Sequence, residues 1–194
     1  MPKPQTPVVS VAALAGLVGP AAFIATWGIL GAGASNYSAV RDPISRLAAS
    51  GASTRGAMTA GLLALGTGLV GSAIALRDDL PGPAWAFAAS TGVSALAVAA
   101  APLGSPLIDD IHGAVASLGY VTLAATPVAA SVAMVGRGER HWVRISMVAG
   151  AVCGLCLLAS AAVPARGLFQ RLGLTSGHLW VMATCAGVLR RHFR

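Results

Sequence analysis

The sequence predicts an all-α, polytopic membrane protein: one bundle of six transmembrane helices, both termini cytoplasmic, with a short interfacial helix in the first outer loop. Three observations carry this reading. Only 10% of the 194 residues are charged and 56% are hydrophobic, where a soluble domain carries roughly 25% charged residues. Apolar runs of about 20 residues, the length a 30 Å hydrocarbon core demands, recur along the whole chain. The basic residues fall in the connections between those runs. The net charge of +7 therefore reads as membrane topology and not as a nucleic-acid surface, which would gather Lys and Arg on one soluble face.

The first run, Val8–Ala32, exceeds the 7–15 residues of a signal-peptide core and is expected to remain as a helix. Pro20 predicts a kink within it, tolerable where neighbours satisfy the freed carbonyl. The following runs are Ala57–Leu76, Ala84–Leu103, Ile111–Val135, Val143–Val163 and Leu172–Leu189. Together they make a single integral domain over residues 1–194. Lys3, Arg77, Arg137, Arg140, Arg144, Arg190, Arg191 and Arg194 fall on one side, and Arg41, Arg46, Arg55, Arg166 and Arg171 on the other. The excess places both termini in the cytoplasm of a cell-membrane protein. The terminal cluster Arg190-Arg191-His192-Phe193-Arg194 suits an anionic inner leaflet.

Small residues recur every four positions: Ala64, Gly68 and Ser72 in the second run, Ser146, Gly150 and Gly154 in the fifth. Such stripes let helices approach closely. They serve packing within the bundle or a homodimer face. Cys153, Cys156 and Cys185 lie inside apolar runs and imply no disulfide framework. The formal CxxC of Cys153 and Cys156 reads as buried small apolar residues.

The polar segments of the outward side carry whatever chemistry there is. In the first loop, Asp42 suits a helix N-cap, Pro43 the first helical position, and Gly51 the end of the turn. Ile44, Leu47 and Ala48 would share one face, giving a two-turn helix lying apolar side down, with Arg41 and Arg46 at headgroup level. In the third outer segment Ser105 caps and Pro106 begins a helix. Asp109 and Asp110 then sit in its first turns, where the helix dipole favours negative charge. His112 follows Asp109 by three residues and shares its face. A carboxylate beside an imidazole supports acid–base chemistry or a satisfied polar contact. His178 lies about 9 Å inside the sixth run at 1.5 Å per residue, a depth at which an ionisable residue usually faces the bundle interior. Bonding of a neutral imidazole to Thr175 or to a carbonyl is the alternative.

Arg41, Asp42, Asp109, Asp110, His112, Arg166, Gln170, Arg171 and His178 thus fall on or below one membrane face. If the helices close around them they form an outward polar pocket over an apolar floor. Arg41, Asp42, Arg166, Gln170 and Arg171 would hold the head of a membrane lipid or isoprenoid-like amphiphile. The alternative is a membrane-embedded acid–base enzyme (a cyclase, isomerase or hydrolase) acting on a lipid or isoprenoid. Its acid would be Asp109 or Asp110, with His112 or His178 as base or orienter. Trp27, Tyr37, Tyr120 and Trp180 would line its cavity. A bis-histidine haem on His112 and His178 is a minor alternative, opposed by their roughly 9 Å difference in depth. No metal site and no cofactor is otherwise expected.

The segments "NYSAVRDPISRLAASGA", "DDIHGAVASLGY" and "GLFQRLGLTSGHLW" together resemble a family of small bacterial and archaeal membrane proteins catalogued as domain of unknown function 998. The marks are the element Ile44-Ser45-Arg46-Leu47, His112 at the start of the fourth helix, and the Gly-aromatic-Gln-Arg element from Gly167 to Arg171. The resemblance implies six helices over nearly the whole chain and no established activity.

Overall fold

A computed structural model describes residues 7–192. Lys3, Phe193 and Arg194, which entered the topology argument, lie outside the described residues. The helices are α1 (Pro7–Gly33), α2 (Arg55–Asp79), α3 (Ala84–Ala100), α4 (Pro106–Gly136), α5 (Arg140–Ala162) and α6 (Arg166–His192), with a 3-10 helix at Ile44–Ala48. No strand occurs among the described residues. Helices α1, α2, α4, α5 and α6 are long and apolar enough to cross a membrane. Helix α3 has 17 residues, at the short end of a spanning helix, because it stops at Ala100 and not at the predicted Leu103. The chain is a helical, multi-pass membrane protein.

Each helix packs against the next in chain order, and α6 closes the circuit against α1. The connections between α2 and α6 span only a few residues, and short connections force neighbouring helices to run antiparallel. Close approach depends on glycine. A methyl group at Gly68 would come within 2.6 Å of the Ala15 carbonyl oxygen and 2.8 Å of Gly19 Cα. One at Gly150 would meet Val128 Cγ2 at 2.6 Å and the Ala124 oxygen at 3.0 Å. The α2 stripe is therefore occupied by α1 and the α5 stripe by α4. Ser146 is likewise engaged, accepting the Trp180 Nε1–H at 2.9 Å. These faces act inside the chain.

Helix α1 runs unbroken through Pro20. Beyond it, the first loop does not lie on the lipid as predicted. Its helix is a five-residue 3-10 turn whose Ile44, Leu47 and Ala48 are buried in the hydrophobic core, against α1, α2 and α6. Asp42 does not cap it. Its carboxylate instead accepts the Ser38 amide at 2.7 Å and Arg46 Nη1 at 2.7 Å. Gly51 does end the segment, at φ +85°.

The first loop meets the third connection at one end of the bundle, where the Ser50 amide donates to the Leu103 carbonyl at 2.7 Å. The opposite end is basic but internally paired. Asp79 accepts Arg191 at 2.8 Å and lies 3.8 Å from Arg137, while the Arg77 guanidinium stacks over Trp85 at 5.1 Å.

Candidate functional site

Helix α6 builds the loop end of the molecule. Gly167 has no side chain because the loop backbone occupies that space: a Cβ there would meet the carbonyl oxygens of Asp42 and Ala39, the latter at 2.8 Å. The Leu168 amide donates to the Val40 carbonyl at 3.0 Å. Gln170 Oε1 accepts the Ile44 amide at 2.8 Å, and its Nε2 donates to the Tyr120 hydroxyl. Arg171 Nη1 donates to the carbonyls of Ala39, Gly167 and Asp42 at 2.7, 2.9 and 3.0 Å, and Nη2 to the Tyr37 hydroxyl. Its guanidinium lies 5.2 Å from the Trp27 ring and 5.4 Å from the Tyr37 ring. The Gly-Leu-Phe-Gln-Arg element of α6 is thus the seat on which the Ile-Ser-Arg-Leu element docks.

This seat changes the expected role of Arg171. Its terminal nitrogens bond the carbonyls of Ala39, Asp42 and Gly167 and the Tyr37 hydroxyl, and the residue is buried, so it holds the loop, with Nε–H left without a partner among the described residues. Trp27 and Tyr37 are its aromatic brackets and are not among the residues that line the chamber below. Burial raises the Tyr37 phenol above its ordinary pKa against the opposing pull of Arg171. Arg41 and Arg46 are exposed, and Arg46 is paired with Asp42.

Beneath the docked loop is a chamber of about 70 Å³. Ile44 and Ser45 cover it, Phe23, Leu62 and Leu65 form one wall, and α3, α4 and α6 the rest. His112 and His178 both face it. His112 Nδ1 lies 2.7 Å from the Ala101 carbonyl oxygen. His178 is 1% exposed and packs edge-on against Phe23 with ring centroids 5.8 Å apart. Its Nδ1 has no hydrogen-bond partner among the described residues, so the expected bond to Thr175 or a carbonyl is not made there.

The predicted pairing of Asp109 with His112 is also not made. Asp109 Oδ1 accepts the Gly104 amide at 2.8 Å, closing the turn ahead of α4. Asp110 is exposed. Neither carboxylate lines the chamber, because both face outward from the first turn of α4 while His112 turns inward. The chamber therefore has two imidazoles and no acid. A cavity of this size also has no room for a haem, so the bis-histidine reading fails on volume. Among the described residues no group of His, Cys, Asp or Glu is arranged to hold a metal ion.

A second, larger concavity lies outside the chamber. Helix α5 packs against both α4 and α6, and a groove of about 570 Å³ runs among the three. Val121, Ala124, Leu157 and Leu158 make it apolar, Gly154 leaves it open, and Arg166 stands at its loop-end rim. Val121 and Leu158 are 67% and 72% exposed, on the surface that faces lipid in a membrane. Tyr120 and Gln170 line both groove and chamber. The α4–α5–α6 groove was not legible in the sequence, because it arises from how three helices pack and no motif marks it.

No curated protein and no solved structure matches the chain. A family model described as "Protein of unknown function (DUF998)" matches residues 17–187. That match covers every element from within α1 to within α6, including the docked loop, its seat on α6 and the chamber below, and the chain belongs to this family.

Proposed function

We propose that this chain is a six-span protein of the cell membrane, with both termini cytoplasmic, that binds a lipid or comparable amphiphile from the outer leaflet. The observation that carries this reading is the α4–α5–α6 groove. Its 570 Å³ falls within the 300–1,000 Å³ of ordinary ligand sites. Its walls are aliphatic, and an exposed arginine, Arg166, stands where an anionic head would lie. Arginine pairs with phosphate or carboxylate through two parallel hydrogen bonds. The orientation rests on the excess of arginine at the opposite end, where Arg140, Arg144 and Arg190 suit an anionic inner leaflet.

The test is native mass spectrometry of protein extracted from vesicles of mixed anionic and zwitterionic lipid. One retained anionic lipid per chain is expected, with retention reduced about tenfold in Arg166→Gln, the loss of one charge-assisted pair. Ala161→Trp, which fills the groove, abolishes it. Bare protein under every extraction condition overturns the reading.

A further inference from the structure

We infer that the chamber receives the uncharged, hydroxyl-bearing end of the head group of a lipid whose phosphate rests on Arg166, entering sideways between Tyr120 and Gln170. This rests on the groove reading and adds the class of lipid. The two cavities share those two residues and nothing else of their linings. The Gln170–Tyr120 hydrogen bond is therefore the partition between them. Arg166 and Gln170 stand one helical turn apart on α6, so their side chains are neighbours, with Cβ atoms about 5–6 Å apart. A phosphate on the first residue places the next few atoms of its head group beside the second.

The chamber lining selects against charge. It has Ser45, Thr91, Ser94, His112, Gln170 and His178 among aliphatic walls, with no carboxylate, lysine or arginine. An ion entering it would lose water without gaining a counter-charge, which is costly. A hydroxyl both donates and accepts, and it suits serine hydroxyls and imidazole nitrogens alike. His178 lines the same wall and is 1% exposed. Buried polar groups of folded proteins are nearly always hydrogen-bonded. The 70 Å³ volume is below the roughly 150 Å³ of a cavity that takes benzene and well above the roughly 10–15 Å³ needed for one water. It fits a head-group fragment of a few heavy atoms and excludes an acyl chain.

The experiment compares phosphatidylglycerol with phosphatidylethanol of matched chains, two lipids of equal charge that differ in head-group hydroxyls. Each is offered in phosphatidylcholine nanodiscs, and retention is read by native mass spectrometry. Wild type is expected to retain phosphatidylglycerol about tenfold over phosphatidylethanol, the discrimination of roughly one good hydrogen bond. Ala116→Leu and Ser45→Leu, which fill the chamber from two sides, should bring the ratio to one while phosphatidylethanol retention stays at the wild-type level. Equal retention of the two lipids by wild type, or a preference that survives both fillings, overturns the chamber proposal and leaves the groove standing. Retention of neither lipid by wild type overturns both. The wild-type comparison holds even if a filled variant fails to fold.

Discussion

The Ile44 amide donates to Gln170 Oε1 at 2.8 Å across 126 positions of sequence. A loop residue and a helix residue that share no local context thereby hold the cover over the chamber. Ile44 is buried, so its amide has no water to fall back on. Gln170→Leu removes the acceptor and also frees the Tyr120 hydroxyl. A buried donor left unpaired costs about 1–3 kcal/mol. The variant is expected to unfold at lower temperature in detergent, and Gln170→Glu, which keeps an acceptor for Ile44 but buries a carboxylate on the uncharged chamber wall, to recover none of the loss at neutral pH. Thermal melting of the three proteins decides it.

Arg171 should be more sensitive to lysine than any exposed arginine. Its planar fork reaches three carbonyls and a phenol while its faces meet Trp27 and Tyr37. An ammonium is a point charge with no plane to stack and cannot span those acceptors. Arg171→Lys is expected to lose about 1–3 kcal/mol of stability and to expose the first loop to protease. Arg166→Lys, at an exposed site, should change neither. Equal behaviour of the two variants would contradict the assignment of Arg171 to the loop seat.

The glycines divide by what they touch. Gly68→Leu drives a side chain into the α1 backbone, where even a methyl would lie 2.6 Å from the Ala15 oxygen. Overpacking of this kind typically costs about 1–3 kcal/mol. Gly113→Ala places its methyl in open space and should be neutral within about 0.5 kcal/mol. Both variants are expected to remain monomeric by analytical ultracentrifugation in detergent, since the Gly68 face is spent on α1. A wild-type dimer disrupted selectively by Gly68→Leu would show the opposite.

Acid should loosen the first loop. The Ser38 amide holds the Asp42 carboxyl below its ordinary range against the opposing effect of burial, with Arg46 adding a lesser pull in the same direction as Ser38. A carboxyl whose folded pKa is depressed contributes stability that is complete above its unfolded value, about 3.9, and is lost as pH falls through the folded value. The loop should therefore be equally ordered at pH 7 and pH 5 and weaken only below about pH 4. Hydrogen exchange of the Ser38 amide across that range is the readout. In Asp42→Asn the acid-dependent step should vanish.

The fold was legible where hydrophobicity alone decides it. The runs expected to begin at Ala57, Ala84, Ile111, Val143 and Leu172 became helices beginning at Arg55, Ala84, Pro106, Arg140 and Arg166. The first loop was half legible. The buried trio Ile44, Leu47 and Ala48 was recognised as one apolar face, but periodicity does not say whether such a face meets lipid or protein, and Gln170 and Arg171 settle that through contacts made 126 and more residues away. The inward placing of His178 was legible from its depth in the sixth run, whereas that of His112 was not, since its spacing pointed to a shared face with Asp109. Asp109 was misread as a partner for His112 because a shared helix face gives only proximity, and the nearer Gly104 amide satisfies the carboxylate first.

The central claim is that the α4–α5–α6 groove binds a particular amphiphile and is not merely wetted by bulk lipid. The most direct measurement places a photo-crosslinking amino acid at Leu158, on the groove, and separately at Val11, which is 68% exposed on α1, in native membranes. Crosslinked lipid masses are then read by mass spectrometry. The groove position is expected to capture one narrow lipid class, sensitive to Arg166→Gln, while the α1 position captures the bulk mixture. The same bulk mixture at both positions, unchanged by Arg166→Gln, would contradict the account.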